Sequence, residues 1–321
     1  DDKGNAVVVW ADDADGNGYY DIPYRVVSPT GSVRASGRAN ATTAGQQIVP
    51  KVAVDPDGTP NNASATAFTV VWEDIQSGSP ARIRAAGYTN ITTKAYEVTV
   101  SQSGGEHHRP DVAVSASGDA IVVWDEDADG NGYYNIGLTK LAKSNGAIVL
   151  SRRIANAEGG GQQWKPAVAA NFAGDFTVAW ESDHTGTAGV WARSFTAAGD
   201  GRHPEVEIAA GGIAPSTGID DEGNVVVGWT VPGADPDVRI RGVNPDGTWV
   251  GRLADQAFSQ VTTGRQEQIA VTSSPWGEVT ASYTDDADGN THDQVIMGFG
   301  AANSVWAYRA RAGAVPAPPR H

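Results

Sequence analysis

Ile121-Val122-Val123-Trp124-Asp125-Glu126-Asp127-Ala128-Asp129-Gly130-Asn131-Gly132-Tyr133-Tyr134-Asn135-Ile136 joins the two patterns that recur along this chain. Its first part is an unbroken apolar run ending in tryptophan, the composition of a strand buried on both faces. Its second part is a turn-rich loop with oxygen-bearing side chains at alternate positions. The run returns as Val7-Val8-Val9-Trp10 and Val70-Val71-Trp72, and the aromatic that ends it recurs at Trp180, Trp229 and Tyr283. Successive markers are roughly fifty residues apart, the period of a four-stranded propeller blade.

Each unit reads as four strands. A first strand follows a proline in Pro50-Lys51-Val52-Ala53-Val54, Pro110-Asp111-Val112-Ala113-Val114 and Pro166-Ala167-Val168-Ala169, with weaker versions at Pro215 and Ile269. Glycine turns such as Ser117-Gly118-Asp119 and Ala173-Gly174-Asp175 follow, supplying the positive φ that tight hairpins demand. The second strand ends at the marker aromatic. Third strands such as Val238-Arg239-Ile240-Arg241 alternate apolar and polar residues, as sheets that partly meet solvent do. No stretch has a helical period. Six such units, none able to bury its own sheet, predict an all-β, six-bladed β-propeller, with seven blades as the alternative. Residues 1–313 form one domain in this scheme and 314–321 a proline-rich tail. Asp1-Asp2-Lys3-Gly4-Asn5 matches the turn before a second strand, so the first blade is expected to lack its own first strand, as in a chain trimmed at its N-terminus.

Composition narrows the function. A formal charge of −15 argues against nucleic acid, whose binders need clustered Lys and Arg to displace counterions. The sequence has no apolar run of membrane-spanning length and no cysteine; a large β core needs no disulfides. A monomer without membrane insertion is expected.

The loop after the marker strand carries the metal expectation. Asp13, Asp15, Asn17, the Tyr19 carbonyl and Asp21 fall at alternate positions, and a tightly turned loop aims such oxygens at one point, as Ca²⁺ requires. Asp127, Asp129, Asn131, Tyr133 and Asn135 repeat the pattern, weakened by Asn135 in place of an acid. Asp286, Asp288 and Asn290 begin a third, degenerate copy. Two structural calcium ions are expected, a third is possible, and occupancy of such weak loops points to secretion. These residues resemble the Asp-X-Asp/Asn-X-Asp/Asn-Gly-X-X-Asp-Ile/Leu loops of FG-GAP propeller repeats, found in integrin α subunits and many bacterial secreted proteins. The resemblance implies structural ions and a propeller used for binding or adhesion.

Counting strand directions places these loops and the blade-to-blade connections on one face. There a Gly-X-Gln/His-X-X-Pro phrase recurs, putting Gln47, His107, Gln163 and Gln266, with Trp164, in a ring suited to a sugar or polar peptide. Catalytic motifs are sparse: Glu73-Asp74 and Asp183-His184, on the loops after Trp72 and Trp180, read first as solvated carboxylates and only in the alternative as an acid and base, so no catalytic residue is assigned. The chain therefore reads as a secreted, calcium-stabilised, lectin-like module that binds carbohydrate or a protein partner, without chemistry of its own. The alternatives are a hydrolase, lyase or lactonase working at the channel mouth, and a regulator of extracellular proteases.

Overall fold

The computed structural model of the protein describes residues 1, 3–56, 66–250, 256–258, 264–286, 294–301 and 308–311. Within them all helix or strand structure is β, arranged in six antiparallel sheets that follow one another along the chain. The first sheet holds β1 (Ala6–Val9), β2 (Pro23–Val27) and β3 (Val33–Arg38). The second holds β4 (Gln46–Val54), β5 (Phe68–Ile75), β6 (Arg82–Tyr88) and β7 (Lys94–Thr99). In the third are β8 (Glu106–Val114), β9 (Ala120–Asp127), β10 (Asn135–Leu141) and β11 (Ile148–Ile154), and in the fourth β12 (Gln163–Ala170), β13 (Phe176–Ser182), β14 (Gly189–Phe195) and β15 (Val206–Ala210). The fifth contains β16 (Ile213–Ile219), β17 (Val225–Val231), β18 (Asp237–Val243) and β19 (Gln256–Ala257). The sixth contains β20 (Gln266–Ser273), β21 (Glu278–Asp285), β22 (Gln294–Ala301) and β23 (Tyr308–Arg311). Every strand pairs with its neighbour in sequence, so each sheet is a simple meander.

The sheets pack in sequence. First strands β4, β8, β12, β16 and β20 each lie against the next. Their far ends meet: Val54, Val114, Ala170, Ile219 and Ser273, one from each of five sheets, line a single pocket of about 150 Å³. Strands from five sheets reach one small pocket only if they surround a common axis, as in a propeller.

The apolar core is a series of layers between neighbouring sheets. Val71, Ile83 and Ala85 of the second sheet pack with Val112, Val122 and Trp124 of the third; Ile121, Val123 and Leu138 of the third pack with Phe176, Val178 and Trp180 of the fourth. This explains the unbroken apolar runs: β5, β9, β13 and β17 are buried on both faces because each is sandwiched between sheets. Trp72, Trp124, Trp180 and Trp229 are among the largest fully buried side chains.

The first strands depart from the sequence-based expectation. They do not begin after the proline but run through it, with Pro50 and Pro110 in the middle of β4 and β8. In each of five sheets the pairing skips at this point, between Ile48 and Lys51, His108 and Asp111, Trp164 and Ala167, Ile213 and Ser216, and Glu267 and Ala270. A bulge leaves a residue out of the ladder, so a proline lacking N–H is tolerated there. The residue before the proline takes a left-handed φ, Val49 (52°), Arg109 (47°), Lys165 (50°) and Ala214 (51°), and so does Gln268 (56°) before Ile269 in the sixth sheet. Non-glycine residues reach this region at a cost of order 1 kcal/mol. Ala214→Gly is therefore expected to leave stability unchanged or raise it by up to about 1 kcal/mol, whereas glycine in an ordinary strand loses about that much. Urea unfolding of the variant decides this, and a loss above about 1 kcal/mol would show the conformation to be unstrained.

Candidate active site at the bulged end of the first strands

Three of the five bulges bring a recurring contact with them. Where an acid follows the marker tryptophan, its carboxylate accepts a hydrogen bond from the backbone N–H of the left-handed residue in the next sheet. Arg109 N donates to Glu73 Oε1 at 2.6 Å, Lys165 N to Asp125 Oδ2 at 3.0 Å and Ala214 N to Glu181 Oε1 at 2.6 Å. Marker positions without an acid break the series: Ala11 follows Trp10, and Thr230, whose buried hydroxyl has no hydrogen-bond partner, follows Trp229. The series is thus confined to one arc of the propeller.

On that arc the side chains form one polar cluster. Glu73 Oε2 lies 3.2 Å from His108 Nδ1, and His108 Nε2 lies 3.6 Å from Glu106 Oε2. The hydrogen bond to Glu73 holds the His108 imidazolium charged to higher pH than a free histidine. Arg109 Nε donates to Asp125 Oδ2 at 2.6 Å, and its guanidinium lies 6.0 Å from the centre of the Tyr134 ring. Lys165 Nζ bonds both oxygens of Glu181 at 3.0 and 3.2 Å, while Trp164 Nε1 donates to Glu181 Oε2 at 2.6 Å. Three carboxylates are thereby fixed under two cations and flanked by two aromatic rings.

Asp125 differs from its neighbours. Its side chain is fully buried and its Oδ1 has no hydrogen-bond partner. Burial pushes its pKa from 3.8 up to about 6, against the opposing pull of Arg109 and the Lys165 N–H. A carboxyl poised there holds a proton under mildly acidic conditions, which a general acid requires.

The ring expected to meet a ligand lies inside the blades. Gln47, His107, Gln163 and Gln266 are part of their strands, paired across the ladder with Asp74, Glu126, Ser182 and Asp285, and all four are buried. Two of them secure the marker indoles: Trp72 Nε1 donates to Gln47 Oε1 at 2.7 Å and Trp180 Nε1 to Gln163 Oε1 at 2.9 Å. In the third sheet Glu126 takes the Trp124 indole at 2.7 Å and lies 3.4 Å from His107. Of the five predicted ligand residues, Trp164 alone joins the cluster. Glu73 joins it too, but Asp74 accepts from Gln47 Nε2, Asp183 from the Gln162 N–H, and His184 bonds Ser182 Oγ. Arg109, Lys165 and Asp125 went unread, although the signal was present: an acid directly after the marker and the residue just before the proline.

The oxygen-rich loops sit at the same end of the sheets. Gln46 clasps the first, with Nε2 donating to Gly18 O at 3.0 Å and Oε1 accepting from Tyr20 N at 3.1 Å; Gln162 clasps the second through Gly132 O and Tyr134 N. Position one of the first loop, Asp13, keeps a buried Oδ1 without a partner. Asp15 and Asn17 accept from loop N–H groups. Position nine is taken: Asp21 bonds Asn40 and Arg38, and Asn135 bonds Asn156. In the second loop both oxygens of Asp127 accept backbone N–H groups, Asp129 accepts from Asn131, and Tyr133 N donates to Asn131 Oδ1. Among the described residues no three acidic or histidine side chains gather closely enough to hold an ion by themselves. Of the third loop Asp286 is described and also keeps a buried, unpartnered Oδ1; Asp288 and Asn290 lie outside the described residues.

No family model and no curated protein matches the sequence. Solved structures do. The chain is similar to the GH93 α-L-arabinofuranosidase of Fusarium graminearum in complex with arabinobiose, with a TM-score of 0.58 and 11% identity over 93% of this chain and 90% of that one. It is similar to a Dyadobacter fermentans protein of unknown function, with a TM-score of 0.54 and 9% identity over 88% and 87% of the two chains. The Hadza microbial sialidase Hz136 gives a TM-score of 0.54 and 8% identity over 91% of this chain, which spans 66% of that sialidase. The likeness establishes the fold, a β-propeller.

Proposed function

We propose that the protein is a secreted, carbohydrate-active propeller of six blades and a glycoside hydrolase, with its chemistry at the bulged end of the first strands. The observation that carries this is Asp125: a buried carboxyl held near pH 6, with one unpartnered oxygen, in a cluster with Glu73 and Glu181, whose carboxylates accept the backbone N–H groups of Arg109 and Ala214. Glycoside hydrolysis needs two carboxyl groups whose environments set them apart, one to give a proton and one to act as base or nucleophile. In this assignment Asp125 gives the proton through one water, and Glu73, fixed by His108 and the Arg109 N–H, is the base or nucleophile. Trp164 and Tyr134 supply apolar ring faces for a sugar, and Arg109 and Lys165 orient it. The arabinofuranosidase and sialidase neighbours support a carbohydrate substrate. Such a cluster has more to do than hold a ligand, so hydrolysis is preferred to the pure binding module. Release of reducing ends from a panel of arabino-, galacto-, xylo- and sialyl-oligosaccharides tests it. Turnover lost in Glu73→Gln would support the assignment; retained binding with no turnover by the wild type would return the protein to a binding role.

Calcium belongs to the same proposal. Asp13, Asp15, Asn17 and the Tyr19 carbonyl would hold it in the first loop, the buried free oxygen of Asp13 being the best available ligand. With Asp21 committed to Arg38 and Asn40, water would complete the shell. The FG-GAP likeness of the loops supports a structural ion. Thermal melting with 1 mM calcium against EGTA should separate the midpoints by roughly 3 °C or more; coincident curves would remove calcium from the proposal.

A further inference from the structure

We infer that the glycan taken at this mouth is acidic, a chain carrying uronate-type carboxylates, and that Arg109 is the residue that selects it. The inference rests on the carbohydrate-active reading above and deepens it.

The balance of charge at the cluster depends on depth. The carboxylates lie underneath, with side-chain exposures of 5% for Glu73, 0% for Asp125 and 3% for Glu181. The cations lie on top, with Arg109 42% and Lys165 46% exposed. His108, partly exposed beside Arg109, is held toward its charged form, and exposed Lys51 stands on the neighbouring first strand two residues beyond its own bulge. Glu106 is the exposed carboxylate of the group, and it faces His108. Within this cluster, set apart from the exposed Asp15 and Asp129 of the neighbouring loops, a chain of formal charge −15 has turned cations outward and three acids inward.

Arg109 is built to receive a carboxylate. Its backbone N–H is fixed by Glu73 and its Nε by Asp125, so both ends of the side chain are positioned. Its two Nη groups make no hydrogen bond to any described residue. A guanidinium with Nε committed and the terminal pair open presents a planar donor edge, which a carboxylate fills with two charge-assisted hydrogen bonds. Lys165 offers less, because its ammonium already bonds both oxygens of Glu181 and presents a point charge, not a planar donor edge. The left-handed backbone at Arg109 aims this edge, because the bulge turns the side chain out of the ladder. A neutral sugar would leave these donors to water; a uronate would satisfy them.

The test is binding by calorimetry at pH 7 of oligogalacturonate, oligomannuronate and oligoglucuronate trisaccharides, each against its own methyl ester. The pairs differ in charge while keeping the same sugars and linkages. At least one acid should bind about tenfold tighter than its ester, and the preference should shrink as salt rises. In Arg109→Gln the acid-to-ester ratio should fall toward one, and Arg109→Lys should keep part of it. If Arg109→Gln does not fold, the wild-type ratio and its salt dependence still decide. Equal binding of acid and ester, or tighter binding of neutral oligosaccharides, overturns the acidic-glycan inference and leaves the carbohydrate reading standing. No binding to acid, ester or any neutral glycan removes both.

Discussion

Asp125→Asn is expected to lower the proposed glycoside hydrolysis by at least about a hundredfold while leaving the fold as stable as the wild type, or more so, above pH 6. The two halves of that result have one cause. Burial raises the folded pKa of Asp125 to about 6 from an ordinary value of 3.8, so the native state holds the proton more tightly than the unfolded chain. The stability this group contributes is therefore complete below about pH 4, declines as pH rises between the two values, and is absent above about pH 6; the swing is of order 2 to 3 kcal/mol. Asparagine keeps an oxygen for the Arg109 Nε and Lys165 N–H bonds but carries no charge to desolvate, so this pH dependence disappears. It also has no proton to give a leaving group. Urea titrations at pH 4, 6 and 8, paired with reducing-end assays, read both effects. A variant with unchanged turnover would remove Asp125 from the chemistry, and one that kept the wild-type slope of stability against pH would contradict the raised pKa.

Trp124→Ala should produce the largest loss of stability of any single substitution considered for this protein, about 3 to 5 kcal/mol. The indole is completely buried in the layer between the second and third sheets, where Val71, Ile83 and Val112 surround it. The opposite strand is shaped to it: a Cβ on Gly137, its ladder partner, would lie 2.7 Å from the ring. Alanine leaves a void between two sheets whose strands are each fixed by hydrogen bonds, so little can collapse into it. It also removes the indole N–H from Glu126, leaving that buried carboxylate to Arg152 and His107. For a domain with typical net stability of about 5 to 15 kcal/mol, this approaches the threshold of unfolding. Equilibrium unfolding in guanidinium measures it, and a cost below about 2 kcal/mol would mean that the layer closes over the gap. Trp124→Phe should fall between.

Much of the propeller could be read from the residues. Trp72, Trp124, Trp180 and Trp229 end apolar runs, and a strand apolar on both faces has to be covered on both. Glycine turns then set where each meander reverses. The site was less legible because it depends on the bulge. Pro50, Pro110 and Pro166 look like strand starts, since proline in a central strand ordinarily forfeits a ladder bond. With the bulge placed at these prolines the strands begin at Gln46, Glu106 and Gln163, upstream of the proline, and Gln47, His107 and Gln163 move from an exposed rim into the ladder. Periodicity records which residues alternate, not where the pairing skips. Asp125 was hidden for a different reason: an acid after a strand-ending tryptophan looks like the start of a solvated loop, and its burial follows from the next sheet closing over it.

The carboxylate contacts between sheets also bear on how the molecule comes apart. They join the second sheet to the third, the third to the fourth and the fourth to the fifth. Alanine at position 11 and threonine at 230 leave the seams on either side of that arc without one. Opening a joint with such a contact exposes a buried acid along with its apolar layer; opening either flanking seam breaks neutral contacts such as Asn5 to Thr66 or Val271 to Ser216 and exposes no acid of this series. The charged arc should then persist as a unit of three joints while the ring first yields beside it, so amide exchange would be slowest in β9 and β13 and breathing would begin where the mouth is least polar.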